Sequence, residues 1–166
     1  MRSNLISKKI KIIKLGGEVI EDAKKLSTFL QLFVDAPGHK VLVHGGGKIA
    51  TSVAQQMGVE VKIIEGRRIT NQKMRNVAQG VYGGLVNKNI VAKLQSLGCM
   101  ALGLTGADLG VLKAQRRGIF HGIDYGYVGE IDSVESGILI KLLEMGITPV
   151  LAPLSWNSEI GLLNTN

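Results

Sequence analysis

Short apolar runs alternate along this chain with longer stretches in which apolar residues recur every three or four positions, and that alternation predicts an α/β protein. The first run, Ile10 to Leu15, is rich in β-branched residues and reads as a strand that stops at Lys14-Leu15-Gly16-Gly17. Ala23, Leu26, Phe29, Leu30 and Phe33 then fall on one helical face, predicting a helix over 21–34 with Glu21 and Asp22 in its first turn, where the helix dipole favours acids. Pro37-Gly38 closes the connection, and Lys40 to His44 is a second strand. It breaks into Gly45, Gly46 and Gly47, after which Ile49, Val53 and Met57 predict the buried face of a helix.

Val59 to Ile64 reads as another strand, followed by Gly66-Arg67-Arg68-Ile69-Thr70, with Thr70 or Asn71 placed to cap the next helix. That helix is predicted over 72–97 from Met74, Val77, Val81, Leu85, Ile90, Val91 and Leu94. Gly80, Gly83 and Gly84 lower its propensity and permit a kink or close packing. A helix apolar on more than one side suits a subunit interface, so 72–97 is the expected homodimer surface. Gly98 ends it, and Cys99 to Leu104 is a strand closing at Thr105-Gly106-Ala107-Asp108. The β-like pieces Val111 to Ala114 and Tyr127 to Ile131 predict a hairpin excursion suited to act as a lid. Asp132 to Glu135 resembles a capping box for a helix burying Val134, Ile138, Leu142 and Met145 and ending at Gly146. Ile147 to Leu151 is the last long apolar strand before a turn at Asn157-Ser158 and a final apolar run, Ile160 to Leu163.

Composition narrows the class. With 166 residues, 45% of them hydrophobic and 20% charged, the chain can bury one sizeable core. A single Cys99 excludes a disulfide framework and a cysteine metal site, and no metal ligands are expected. No apolar stretch is long enough to span a bilayer, and the first residues lack a small-residue cleavage site, so a cytoplasmic protein is expected. The formal charge of +7 comes from scattered Lys and Arg with only three Phe, three Tyr and one Trp, which argues against nucleic acid and for small anionic ligands.

The candidate chemistry sits where the strands end. Glycine loops let main-chain N–H groups reach phosphate or carboxylate oxygens, most effectively at the start of a helix. Lys14 adds a compact charge and Arg68 a planar fork for a carboxylate. Two anion cradles with a lysine between them point to phosphoryl transfer, which depends on positioning and charge neutralisation. GxxxxGK[ST] is absent, so this is not a P-loop protein, and no GxGxxG follows the first strand.

Taken in order, Lys14-Leu-Gly-Gly17, Val43-His-Gly-Gly-Gly47, Gly66-Arg-Arg-Ile-Thr70, Val86-Asn-Lys88, Gly103-Leu-Thr-Gly106 and Leu163-Asn-Thr-Asn166 resemble the N-acetylglutamate kinases of the amino-acid kinase family. The resemblance runs from Ile10 to the last residue. It implies a three-layer αβα sandwich around a mainly parallel sheet, and an arginine-biosynthetic reaction in which the side-chain carboxylate of N-acetyl-L-glutamate attacks the γ-phosphate of ATP, bound with Mg2+. Carried over residue by residue, it makes Lys14 the stabiliser of the transferring phosphoryl group and puts Gly16 and Gly17 beside the phosphates. It assigns Gly46 and Gly47 to the acyl-amino-acid, Arg68 to its α-carboxylate and Asn164 to the completion of that site.

Lys48 stands where many members have proline, and Leu85 where lysine or serine is usual, so both are expected to retune the acyl pocket. Family members continue beyond a point equivalent to Asn166 into a nucleotide-binding domain. The resemblance therefore makes 1–166 an amino-terminal acyl-glutamate-binding domain, truncated before the nucleotide half and expected to have little activity alone. N-succinylglutamate, another amino-acid kinase substrate, or a non-catalytic anion-binding module remain the alternatives. Arginine-sensitive relatives carry an extra amino-terminal helix, which the few residues before Lys8 are not expected to supply.

Overall fold

A computed structural model describes residues 9–165; the amino-terminal start, read above for a leader and for a regulatory helix, and Asn166 of the last motif lie outside them. In chain order the elements are β1 (Lys11–Leu15), α1 (Gly17–Glu21), α2 (Ala23–Asp35), β2 (Lys40–His44), α3 (Gly47–Gln56), β3 (Ile63–Ile64), β4 (Arg67–Arg68) and α4 (Gln72–Ala78). A π-helical stretch (Gln79–Val86) leads into α5 (Asn87–Ser96), β5 (Ala101–Leu104), β6 (Leu112–Arg116), β7 (Ile119–Phe120), β8 (Ile123–Asp124) and β9 (Gly129–Val134). α6 (Ser136–Glu144), β10 (Thr148–Leu151), β11 (Leu154–Asn157) and β12 (Gly161–Asn164) complete it.

The central sheet is wholly parallel, in the order β1-β2-β10-β5, so all four strands end on the same edge. Its two faces carry separate apolar clusters. Leu15, Leu42 and Val150 pack with Leu30, Phe33, Ala50, Ile90 and Leu94 of the helices on one face. Val41, Leu104 and Leu151 pack with Leu143 of α6 on the other. This is the expected αβα layering, with α6 as the helix on the second face. A second sheet, β12-β11-β6-β9, lies beyond the carboxyl ends of the first.

Several boundaries differ from the sequence pattern for identifiable reasons. The helix expected over 21–34 breaks at Asp22, whose backbone is extended and whose carboxylate accepts from the amides of Lys24 and Lys25 at 3.0 Å each. Asp22 is thus the N-cap of α2, and the Lys25 amide bond holds its carboxyl below the usual range. Buried Lys40 finishes the same helix, donating to the carbonyls of Phe33 (2.7 Å), Val34 (3.0 Å) and Ala36. α3 buries Ala50 and Ala54 where Ile49, Val53 and Met57 were expected, because small residues let it approach the sheet closely; Met57 is 66% exposed. The strand expected over 59–64 shrinks to a two-residue hairpin arm turned by Glu65 and Gly66, both at positive φ. Asn71, not Thr70, caps α4 by accepting from the Met74 amide at 2.9 Å. The helix over 72–97 is continuous but unwinds to π geometry across the glycines, as their low propensity allows.

The excursion after Gly110 is the antiparallel pair β6 and β9, whose ladder continues through Ser133 and Val134. Sheet pairing therefore wins over the capping box at Asp132. α6 begins at Ser136 without a side-chain cap, and Val134 and Met145 are exposed rather than buried.

Candidate active site

Because β1 and β2 are adjacent and parallel, the two glycine loops that follow them touch. The Gly45 amide donates to the Leu15 carbonyl at 3.0 Å, and a Cβ on Gly45 would lie 3.7 Å from the Gly17 nitrogen. Gly46 has φ 138°, a region closed to residues with a side chain; a Cβ there would also press on Val86 and Tyr82. It caps α3 without any side-chain bond, leaving the first amides of a ten-residue helix unsatisfied by side chains.

A cleft of about 450 Å³ opens at this edge, with Lys14, Gly45, Gly46 and Gly47 on one wall. Leu112, Ile131 and Val134 of the β6–β9 pair face them. The hairpin anticipated as a lid is thus built into a sheet and forms the opposing wall. Its alternation of polar and apolar positions was the signal for these lining residues, which sequence reasoning missed.

Arg68 is 9% exposed and lies behind the loop. Its Nη2 donates to the Gly47 carbonyl (2.9 Å) and to Thr51 Oγ1 (2.8 Å), and its Nη1 lies 4.0 Å from Met74 Sδ. None of these partners is a carboxylate, so a nearly buried guanidinium faces the glycine loop without a countercharge among the described residues. Tyr82 stands nearby, its phenol pushed up by burial and drawn back by the Arg68 charge. The sequence carried no sign of Tyr82, which reaches the cleft from the π-helical stretch.

The other expected site residues are less uniform. Lys14 is exposed at the tip of β1 and lines the cleft. Gly16 and Gly17 lie just after that tip but are not in the cleft wall; a Cβ on Gly16 would meet nothing within 4 Å. Asn164 is buried one layer back, donating to Thr70 Oγ1 at 3.0 Å, and Thr70 in turn donates to the Arg68 carbonyl at 3.2 Å. Thr165 reaches the cleft in its place.

Thr105 to Asp108 end on the same edge but do not join the cleft. Asp108 Oδ2 accepts from the Thr105 amide (2.6 Å) and hydroxyl (2.7 Å), closing a turn on itself. Lys48 pairs with Glu21 at 3.5 Å, and Leu85 is half exposed on the helical face, so neither lines the pocket that they were expected to retune. Among the described residues no group of three His, Cys, Asp or Glu gathers to hold a metal ion, and no helix is long and apolar enough to cross a membrane.

Residues 9–166 match the sequence profile of the amino acid kinase family. The chain belongs to that family. It is 48% identical over 158 residues to the acetylglutamate kinase of Cytophaga hutchinsonii, covering 95% of this chain and 60% of that protein. Identity to the acetylglutamate kinase of Bacteroides thetaiotaomicron is also 48% over 158 residues, covering 95% and 61%. The chain thus spans about 60% of the length of these curated relatives. Its fold superposes on the crystal structure of smu.665 from Streptococcus mutans UA159 with a TM-score of 0.80 at 28% identity, covering 94% of this chain and 63% of that one. In this member of the amino acid kinase family, then, the parallel sheet and the paired glycine loops stand as the family resemblance implied.

Proposed function

We propose that this chain supplies the acyl-amino-acid-binding domain and the phosphoryl-stabilising lysine of a cytoplasmic kinase that phosphorylates the side-chain carboxylate of N-acetyl-L-glutamate. The observation that carries the reading is Arg68, a nearly buried cation without a countercharge, held against Gly47 beside the cleft. A bound α-carboxylate supplies the missing charge in the bidentate geometry that a guanidinium favours. Gly46 and Gly47 offer main-chain amides at the start of α3 to the same ligand, and Asn164 acts through Thr70 to hold β4 and therefore Arg68 in place. The apolar wall of Leu112, Ile131 and Val134 suits the acyl group.

Phosphate fits the β1 end of the same wall, where the chain leaves the cleft through Gly16 and Gly17. Lys14 is exposed there, the space over Gly16 is open, and α1 starts at Gly17 with no side-chain cap on its amides. ATP, bound with Mg2+, would supply the phosphoryl group. Lys14 then neutralises charge on the transferring oxygens, while Gly16 and Gly17 position them.

Calorimetry with N-acetyl-L-glutamate tests the reading. Binding is expected in the cleft, and Arg68→Lys, which keeps the charge but loses the fork, should weaken it about tenfold or more. An unchanged affinity in Arg68→Lys would remove the arginine from the site. N-succinyl-L-glutamate is the second ligand of the panel, and tighter binding of it would reassign the acyl group. Binding without any ADP release in a protein of the relatives' full length would favour a non-catalytic module.

The helix over 72–97 remains the proposed homodimer surface. Leu85 (50%) and Met57 (66%) are exposed on it and on its neighbour α3, and Gly80 leaves open space where a second backbone can approach. Leu85→Asp should give the mass of a monomer by light scattering where the unsubstituted chain gives a dimer; a monomer in both would remove this surface.

A further inference from the structure

His44 is 2% exposed at the end of β2, and the proposed reaction gives it no task. Its Nε2 lies 3.1 Å from Asn87 Nδ2, and its Nδ1 lies 2.8 Å from the Gly45 carbonyl oxygen. Asn87 Nδ2 also lies 3.0 Å from the Val150 carbonyl oxygen. The direction of this chain follows from its far end. A carbonyl oxygen only accepts, so the Asn87 atom beside Val150 is the amide nitrogen, and its second hydrogen points at Nε2. Nε2 must then be bare, and the single proton of a neutral ring sits on Nδ1, where it is donated to Gly45.

The consequence reaches the cleft. In a trans peptide the carbonyl and the following N–H point to opposite sides. Holding the Gly45 carbonyl toward the imidazole therefore turns the Gly46 N–H away from it. We propose that the hydrogen-bond chain from Val150 through Asn87 and His44 to Gly45 is a latch that sets the glycine loop, with His44 in one neutral tautomer, and that protonating His44 breaks the latch at Asn87, freeing the imidazole that holds the Gly45 carbonyl to shift. A proton on Nε2 would face the Asn87 donor, and neither atom has an acceptor to offer.

The surroundings favour the neutral ring. The charged and titratable groups on the neighbouring elements are Lys11 and Lys14 on β1, Arg67 and Arg68 on β4, Lys88 and Lys93 on α5, Glu18 and Glu21 on α1, Lys48 on α3 and the Tyr82 phenol; Glu21 is turned to Lys48, and none of them hydrogen-bonds the imidazole. Burial lowers the imidazole below its ordinary value of 6.5, only partly offset by the Gly45 bond. The folded state therefore binds fewer protons than the unfolded chain in the window below 6.5, so the latch is intact above that value and is lost as pH falls through the folded one. The Asn87 side chain is itself closely seated. A Cβ on Gly103 would overlap Asn87 Oδ1, so glycine at 103 is what admits it.

Side-chain 15N spectra of the labelled chain test this directly, with His44→Asn assigning the His44 signals among the three histidines. The expected result is a protonated Nδ1 and a bare Nε2 at pH 7.5, with a titration midpoint below 6.5. The Gly46 and Gly47 amide resonances should follow that same curve. His44→Asn keeps a donor for the Gly45 carbonyl but cannot be protonated, so its glycine amides should be independent of pH. Asn87→Asp offers an acceptor to Nε2–H and should raise the midpoint by about one unit or more. An Nε2–H tautomer, or glycine amides indifferent to the His44 titration, would overturn the latch, and the unsubstituted chain alone decides both. The ligand role rests on the acyl-glutamate reading. Calorimetry at pH 7.5 and 5.5 should show weaker N-acetyl-L-glutamate binding at the lower pH and no such change in His44→Asn. If the ligand fails to bind at either pH, the functional reading falls while the spectra still judge the latch.

Discussion

Replacing Lys14 by methionine is expected to slow phosphoryl transfer about 10²- to 10³-fold, the usual consequence of removing one preorganised group from the charge that develops in a transition state. Methionine keeps the length of the stem and removes only the ammonium. Lys14 stands exposed at the tip of β1 and lines the cleft, whereas the acyl-amino-acid is assigned to Gly46, Gly47 and Arg68. The loss should therefore fall on kcat, with the KM for N-acetyl-L-glutamate changed less than about threefold. ADP release by a protein of the relatives' full length carrying this region measures it. A loss below fivefold, or one confined to KM, would move the stabilising charge elsewhere.

The second large effect concerns stability rather than chemistry. Gly106→Ala should destabilise the chain by about 3 kcal/mol or more, because the added methyl has nowhere to go. Its Cβ would lie 2.6 Å from Ser155 Cα, 2.7 Å from the Leu112 oxygen and 2.8 Å from the Leu154 oxygen. All three are backbone atoms, which move only with their strands. The Gly106 amide also donates to the Leu154 carbonyl at 2.6 Å, tying β5 to β11 at the base of the second sheet. Urea unfolding should show a lower midpoint at unchanged slope. Gly84→Ala is the control: it meets nothing within 4 Å, sits in a helical segment and should cost nothing or stabilise. A Gly106→Ala midpoint equal to that of the control would show that the strands yield easily.

These cases separate what a residue pattern can carry from what it cannot. The strand ends bearing Lys14 and His44 were legible because a buried parallel strand is an apolar run whose stop is written in glycine. Their common edge followed from the strand–helix–strand order alone. Arg68 was named for its planar guanidinium and Asn164 through resemblance alone, but nothing in their local spacing marks an arginine that will be buried without an acid. The structure leaves Asn164 one layer behind the cleft, because its amide is taken by Thr70 across a sequence separation of 94. Elsewhere local signals lost to longer-range ones. Asp132 to Glu135 has the form of a helix start, yet β6 draws those residues into a ladder. Asp108 stands just past a strand tip and spends its carboxylate on its own turn.

The sequence by itself determined the α/β class, the two glycine loops, the charges beside them and the amino acid kinase relationship, because each of these depends on neighbours within a few residues or on an ordered set of motifs. Only the tertiary structure decided which strand tips share a cleft, that the β6–β9 pair walls it, and that His44 answers to Asn87 and Val150. The last of these rests on hydrogen bonds between residues 43 and 63 positions apart, and all three depend on sheet order and helix packing, which leave no periodic trace in the chain.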